Sequence, residues 1–94
     1  MALYLISYDI ASKDSFEYQP LWDLLESIGA TKILYSEWVV PGDVGQATAI
    51  YNQIAPLTQL PDRLLVQEIL KDAAWDQLLI SNDAYLELIR VARG

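Results

Sequence analysis

The sequence contains neither cysteine nor histidine. The first absence excludes disulfides, thiolate nucleophiles and zinc–thiolate sites. The second removes the commonest general base and metal ligand, so any chemistry must rest on carboxylates, hydroxyls and phenols. The chain also lacks a run of about 20 apolar residues and a basic, apolar leader, which predicts a cytoplasmic protein without a membrane partner.

Basic residues are few and scattered. Six lysines and arginines stand against thirteen acids, which gives a net charge of −7. Nucleic-acid binders usually gain affinity from lysines and arginines that release counterions at phosphates. The balance therefore disfavours tight nucleic-acid binding by a monomer, although a divalent cation would reverse the local charge.

Apolar residues are abundant, at 53% of the 94 residues. This is enough for a folded core and predicts one domain over 1–94. A domain of this size leaves much of its surface unburied, and a second copy often supplies the missing burial. We therefore expect a homodimer, and a further protein partner is also open.

The first half of the chain is predicted to contain a strand, a helix and two more strands. The first strand runs from the start to Ile10. The helix spans about 16–28 and ends at Gly29, because its apolar residues recur at i, i+3, i+4 and i+7. The segment 31–40 is expected to be two antiparallel pieces that divide near Ser36 and Glu37.

The second half is predicted to contain a turn at 41–43, a helix over 44–55 capped by Asp43, and a strand over 62–69. A helical turn and a short last helix over 83–90 follow. The inner face of the 44–55 helix is expected to be lined by Ala47, Ile50, Tyr51 and Ile54. The whole order predicts an α+β fold, the ferredoxin-like βαββαβ two-layer sandwich with a short C-terminal helical tail.

In such a fold two helices cover one sheet face, and the other face is open unless the tail or a second subunit covers it. Alternation along the first strand places Tyr4 and Tyr8 on one side and Leu3 and Asp9 on the other. Aromatic side chains on an open sheet would favour association. Tyr4, Tyr8 and Trp38 are therefore the predicted anchors of the dimer interface.

Several short motifs resemble those of one known family. They are Tyr-Leu-Ile-Ser-Tyr-Asp-Ile at 4–10, Ser36 followed by Trp-Val-Val at 38–40, Asp-Arg-Leu-Leu-Val at 62–66, and Ala-Ala-Trp at 73–75. With these motifs the chain resembles the small CRISPR-associated ferredoxin-like nucleases, the family of the subunit that partners the spacer integrase. It is most similar to the SinR-like branch of that family.

The resemblance implies a homodimer in which Asp9, at the end of the first strand, approaches its symmetry mate. The two carboxylates would hold Mg²⁺ or Mn²⁺, which activates water against a phosphodiester. Asp9 is then the implied metal ligand and catalytic residue. The chain departs from the family at 11–17, where one lysine and two acids replace the several basic residues of typical members.

Three more residues are candidate substrate contacts. Ser36 would contact a phosphate, Glu37 would add a second carboxylate near Asp9, and Tyr8 would stack on a base. Each has a structural alternative: Asp9 caps the following turn, Ser36 bonds its neighbours, and Glu37 is a solvated strand residue.

Three functions stay open at this point. The first is a homodimeric structural or interaction module without catalysis. The second is a Mg²⁺- or Mn²⁺-dependent endonuclease that cleaves single-stranded RNA or duplex DNA with Asp9 from each subunit. The third is a toxin-like ribonuclease related to the VapD group, which shares the fold and the start of the chain.

Overall fold

The structure, a computed structural model, describes residues 2–9, 15–57, 63–69 and 78–93. The regular elements follow one another along the chain in this order: β1 (Ala2–Asp9), α1 (Ser15–Ser27), β2 (Thr31–Leu34), β3 (Glu37–Gly42), α2 (Ala47–Ile54), a short 3₁₀ helix (Ala55–Leu57), β4 (Arg63–Glu68) and α3 (Asn82–Arg93).

The strands of the described residues form one antiparallel sheet in the order β2-β3-β1-β4. Together with the three α-helices this is a small α+β architecture that is compatible with a ferredoxin-like fold. None of the helices in these ranges is long and apolar enough to cross a membrane. The predicted strand end at Ile10, Asp62 and the helical turn predicted at 73–75 lie outside the described residues.

The end of α1 confirms the predicted stop at Gly29. Its φ is 84°, in the left-handed region that glycine enters without steric cost. The N–H of Gly29 donates to the carbonyl of Glu26 at 3.1 Å, and the N–H of Ala30 donates to the carbonyl of Leu25 at 2.9 Å. This pair of bonds is a Schellman motif, which satisfies carbonyls that the helix end would otherwise leave unpaired.

The predicted division of 31–40 into two strands is confirmed. β2 ends at Leu34 and β3 begins at Glu37, so Tyr35 and Ser36 form the turn between them. The register of the hairpin shifts between Lys32 and Leu34, as in a strand with a bulge.

β3 runs two residues further than predicted. Pro41 and Gly42 pair with Leu3 and Ala2 of β1. The prediction of a turn at 41–43 therefore places the turn too early in the chain. Proline is acceptable here because β2 does not reach this far. Pro41 therefore has a single neighbouring strand, as at a sheet edge, where the missing N–H leaves no ladder bond unmade.

α2 also begins later than predicted, and Asp43 is not its cap. Gln46 occupies the N-cap position and makes no side-chain capping bond. Ile54 is fully buried, as predicted for the inner face, whereas Tyr51 is 43% exposed. The prediction that Tyr51 faces inward is therefore wrong.

Buried side chains occur on both faces of the sheet, in two clusters. The cluster between the sheet and helices α1 and α2 consists of Ala2, Tyr4, Ile6, Tyr8, Leu21, Leu25, Trp38, Val40 and Ile54. The cluster beneath α3 consists of Leu3, Ile33, Val39 and Tyr85. The C-terminal helix therefore packs on the second face of its own sheet, with the partly buried Leu88 and Ile89 beside that cluster.

Candidate functional site

Asp9, the implied metal ligand, faces a guanidinium. It is the last residue of β1 and lies directly opposite Arg63, the first residue of β4, in the antiparallel register. Asp9 Oδ2 and Arg63 Nη1 are 3.4 Å apart, and the two side chains are 71% and 82% exposed. At this exposure the pair contributes about 0–1 kcal/mol to the stability of one protomer, because water screens both charges.

The described donors around Asp9 do not by themselves make up a metal site in one protomer. Magnesium and manganese prefer several oxygen ligands, but the described residues contain no group of three acidic or other metal-ligating side chains that could hold an ion. The register places Glu37 opposite Ser7, diagonal to Asp9 on the same face. Two carboxylates beside a guanidinium are a poorer cation site than two carboxylates alone.

Ser36 lies exposed in the β2–β3 turn. Its carbonyl accepts a hydrogen bond from the backbone N–H of Tyr8 at 3.1 Å. The contact ties the turn to β1, near the strand end that carries Asp9. The backbone of Ser36 therefore bonds its neighbour, as its structural alternative expects, and its hydroxyl lies on the surface.

The three predicted dimer anchors are buried inside the protomer. Tyr4, Tyr8 and Trp38 are 0%, 5% and 4% exposed, in the cluster that α1 and α2 cover. The hydroxyl oxygen of Tyr8 accepts hydrogen bonds from the indole N–H groups of Trp22 and Trp38, each at 3.1 Å. This placement corrects two predictions, since these rings are not offered to a second subunit and Tyr8 is not offered to a base.

These predictions failed because they assigned the aromatic side chains to the wrong face of the sheet. Alternation correctly separated Tyr4 and Tyr8 from Leu3 and Asp9. It did not say which set the two helices cover, and the aromatic set turned out to be the covered one. The other set lies on the second face, where Leu3 is buried beneath α3 and Asp9 is exposed.

On the second sheet face, beside α3, several described residues of β1 and β4 are exposed. Successive pairs across β1 and β4 on this face are Leu3 with Ile69, Leu5 with Gln67, Ser7 with Leu65, and Asp9 with Arg63. The first of these pairs packs beneath α3. We call the exposed remainder the open strip, which consists of Ser7, Asp9, Arg63, Leu65 and Gln67.

The open strip has an apolar centre and a charged end. Leu65 is 50% exposed, although leucine is a residue that folding usually buries. Ser7 beside it is half-buried, and the Asp9–Arg63 pair lies one residue pair further along the two strands. The strip thus offers a second protein surface an aliphatic contact flanked by one charge of each sign.

Glu37 lies where β3 meets α3. Burial raises the pKa of Tyr85 in α3 above its ordinary value, and the negative charge of Glu37 raises that pKa further. Both causes favour the neutral phenol. Glu37 is half-buried. It is therefore less solvated than the exposed polar strand residue that its structural alternative predicts.

Sequence reasoning missed one further arrangement, around Lys32. Its ammonium lies 4.5 Å from the ring centroid of Trp22 and 5.9 Å from that of Tyr35. Such contacts are worth about 0.5–1 kcal/mol at exposed sites. Tyr35, at the hairpin tip, is 81% exposed. The signal for the contact was weak, because Trp22 is ten residues before Lys32 and belongs to another element.

The second sheet face carries an exposed ion pair beside a half-exposed apolar side chain. Asp9 is matched by Arg63, and Tyr8, the predicted stacking residue, is buried on the other face. No protein-family model matches the sequence.

Proposed function

We propose that this protein is a homodimeric interaction module without catalytic activity, built on a ferredoxin-like βαββαβ fold related to that of the CRISPR-associated nucleases. The order of the described elements and the sheet order β2-β3-β1-β4 support the fold. The short motifs at 4–10 and 62–66 support the relationship. The single observation that carries the function is the open strip, in which Leu65 is half exposed opposite Ser7 and next to the Asp9–Arg63 pair.

Burial of apolar area is the main driving force for such a dimer. Removing apolar surface from water contributes about 25 cal/mol per Å², and a fully buried leucine contributes about 1.5–3 kcal/mol. Leu65 has half of its surface left to bury, and a two-fold axis uses the side chain of each protomer.

Analytical ultracentrifugation of the wild type and of Leu65→Ser at micromolar concentrations tests the proposal. We expect the wild type to sediment as a dimer and Leu65→Ser to dissociate at least about tenfold more readily, because both copies lose an apolar contact. Leu57→Ser is the matched control, since Leu57 is 41% exposed and follows α2 on the other side of the sheet. A wild type that stays monomeric throughout the micromolar range would overturn the proposal.

A metal-dependent endonuclease is the second candidate, and one observation favours it. The carboxylate of Asp9 is largely exposed on the same strip, so it is accessible to a metal ion and to the second Asp9 that a nuclease dimer would supply. The test is cleavage of single-stranded RNA and duplex DNA with Mg²⁺ or Mn²⁺, by the wild type and by Asp9→Asn. Cleavage that Asp9→Asn abolishes would replace the interaction module by the nuclease, and cleavage confined to RNA would favour the VapD-like ribonuclease.

A further inference from the structure

The Asp9–Arg63 pair is loose within one protomer. Charge-assisted N–H···O bonds are usually about 2.7–2.9 Å long, whereas Asp9 Oδ2 and Arg63 Nη1 are 3.4 Å apart. A guanidinium has five N–H donors, and a carboxylate accepts several bonds. Each group therefore has capacity for a second partner, and both are exposed enough to reach one.

The position of the pair makes it self-complementary. Asp9 and Arg63 stand side by side at the end of the open strip, one residue pair beyond Ser7 and Leu65. In a two-fold dimer, if residue i contacts residue j, then j contacts i. A two-fold arrangement of this strip can therefore place Asp9 of each copy against Arg63 of the partner subunit, so that each acid meets a base.

This matters because the rest of the chain is acidic. Each copy carries a net charge of −7, so most pairs of surfaces on two copies repel each other. The structure describes the side chains of two arginines, Arg63 and Arg90. Arg90 pairs with Glu87 of its own helix. Arg63 lies two residues from the half-exposed Leu65, on the same face of β4.

Resting on the proposed dimer, we propose that Arg63 takes the place of a divalent cation between the two copies. Asp9 of each protomer pairs with Arg63 of the partner subunit, so the four charges cancel and the interface needs no metal. The planar fork of arginine suits this role, because it can hold its own Asp9 and the partner's Asp9 at the same time.

Charge reversal at both positions tests the inference. Asp9→Arg gives a protomer with two bases at the strip end, and Arg63→Asp gives one with two acids. Each variant alone should dimerise at least about tenfold more weakly than the wild type, since like charges then meet across the axis. An equimolar mixture of the two variants should form heterodimers, because two bases then face two acids.

The mixture separates contacts between subunits from contacts within one. Inside each single variant the pair is repulsive whether or not the other variant is present. Recovery on mixing therefore reports pairing across the interface alone. The double variant Asp9→Arg/Arg63→Asp restores acid against base and should dimerise like the wild type, in EDTA as well as in buffer.

Sedimentation and far-ultraviolet circular dichroism read out the result. If the wild type dimerises and both single variants dimerise equally well, the inference is overturned while the proposed dimer stands. Weak single variants that do not recover on mixing also overturn it, as does a wild-type dimer that EDTA dissociates. If a reversal variant loses its fold, the neutral Asp9→Asn and Arg63→Gln proteins replace it, and dimers as tight as the wild type's would overturn the inference.

Discussion

The hydroxyl of Tyr4 accepts a hydrogen bond from the backbone N–H of Gln46 at 2.8 Å, across 42 positions of sequence. The same hydroxyl donates to the carbonyl of Asp43. α2 has no side-chain cap of its own, so a phenol from β1 satisfies a backbone donor at the start of the helix. One buried ring thus fixes the connection between β3 and α2.

Tyr4→Phe should lower the free energy of unfolding by about 1–3 kcal/mol, because the N–H of Gln46 and the carbonyl of Asp43 lose their partner in a part-buried place. Thermal denaturation followed by circular dichroism measures the loss. Tyr51→Phe is the control, since Tyr51 lies in α2 and is 43% exposed. Equal melting temperatures for the two variants would show that the Tyr4 bonds do not anchor the helix.

Tyr8→Phe should also destabilise the fold, by a similar amount of about 1–3 kcal/mol. The N–H of Trp38 is buried, and the variant removes the acceptor to which it donates. Tryptophan fluorescence should change together with stability, because Trp22 and Trp38 both bond to this oxygen.

The control for Tyr8 is Tyr35→Phe at the exposed hairpin tip. Tyr35 is 81% exposed, and surface substitutions usually change stability by less than about 0.5 kcal/mol. If Tyr8→Phe left both stability and the emission spectrum unchanged, the two indole hydrogen bonds would not contribute to the stability of the fold.

Local patterns predicted much of the fold. The stop at Gly29 and the hairpin division between Leu34 and Glu37 depend on a few neighbouring residues. The alternation of β1 depends only on the two-residue period of a strand. Where a contact from elsewhere decides the structure, the prediction failed. The start of α2 is one case, because Tyr4 bonds to the connection before it.

The candidate site was predicted only in part, for the same reason. Asp9 could be singled out as an exposed carboxylate at a strand end, but Arg63 lies 54 residues away and meets it through the pairing of β1 with β4. Local sequence does not determine the register between strands that are far apart in the chain. Leu65 was likewise read as one more apolar strand residue, since its exposure depends on how far α3 extends over the sheet.

Stability should fall at high pH through Tyr85. Its pKa in the folded protein lies above the ordinary value of 10.0, because burial and then the charge of Glu37 favour the neutral phenol. The unfolded chain therefore loses this proton at a lower pH than the folded one. The stabilisation is complete below about pH 10 and is lost as the pH rises from there through the folded pKa.

Urea denaturation of the wild type and of Tyr85→Phe between pH 8 and pH 11.5 measures this dependence. We expect the decline above about pH 10 to be shallower in Tyr85→Phe, because phenylalanine has no proton to lose. Glu37→Gln should shift the Tyr85 titration, followed by tyrosinate absorbance, towards lower pH. Identical slopes for wild type and Tyr85→Phe would contradict the assignment.

Replacing the guanidinium by a carboxylate should create a cation site at the end of the open strip. In Arg63→Asp two carboxylates face each other across β1 and β4, and oxygen pairs of this kind suit Mn²⁺. A ligand at ten times its Kd stabilises the folded state by about 1.4 kcal/mol, which raises Tm by several degrees in a domain of this size. We expect Mn²⁺ to raise the Tm of Arg63→Asp and to leave that of the wild type unchanged.

Arg63→Gln is the matched control, because it removes the positive charge without adding a ligand, and its Tm should respond to Mn²⁺ less than that of Arg63→Asp. The contrary result is specific. If Mn²⁺ raised the Tm of the wild type and Asp9→Asn abolished the effect, Asp9 would be a metal ligand despite the guanidinium opposite it. Arg63 would then be a neighbour of the metal site, and the result would support the metal-dependent endonuclease.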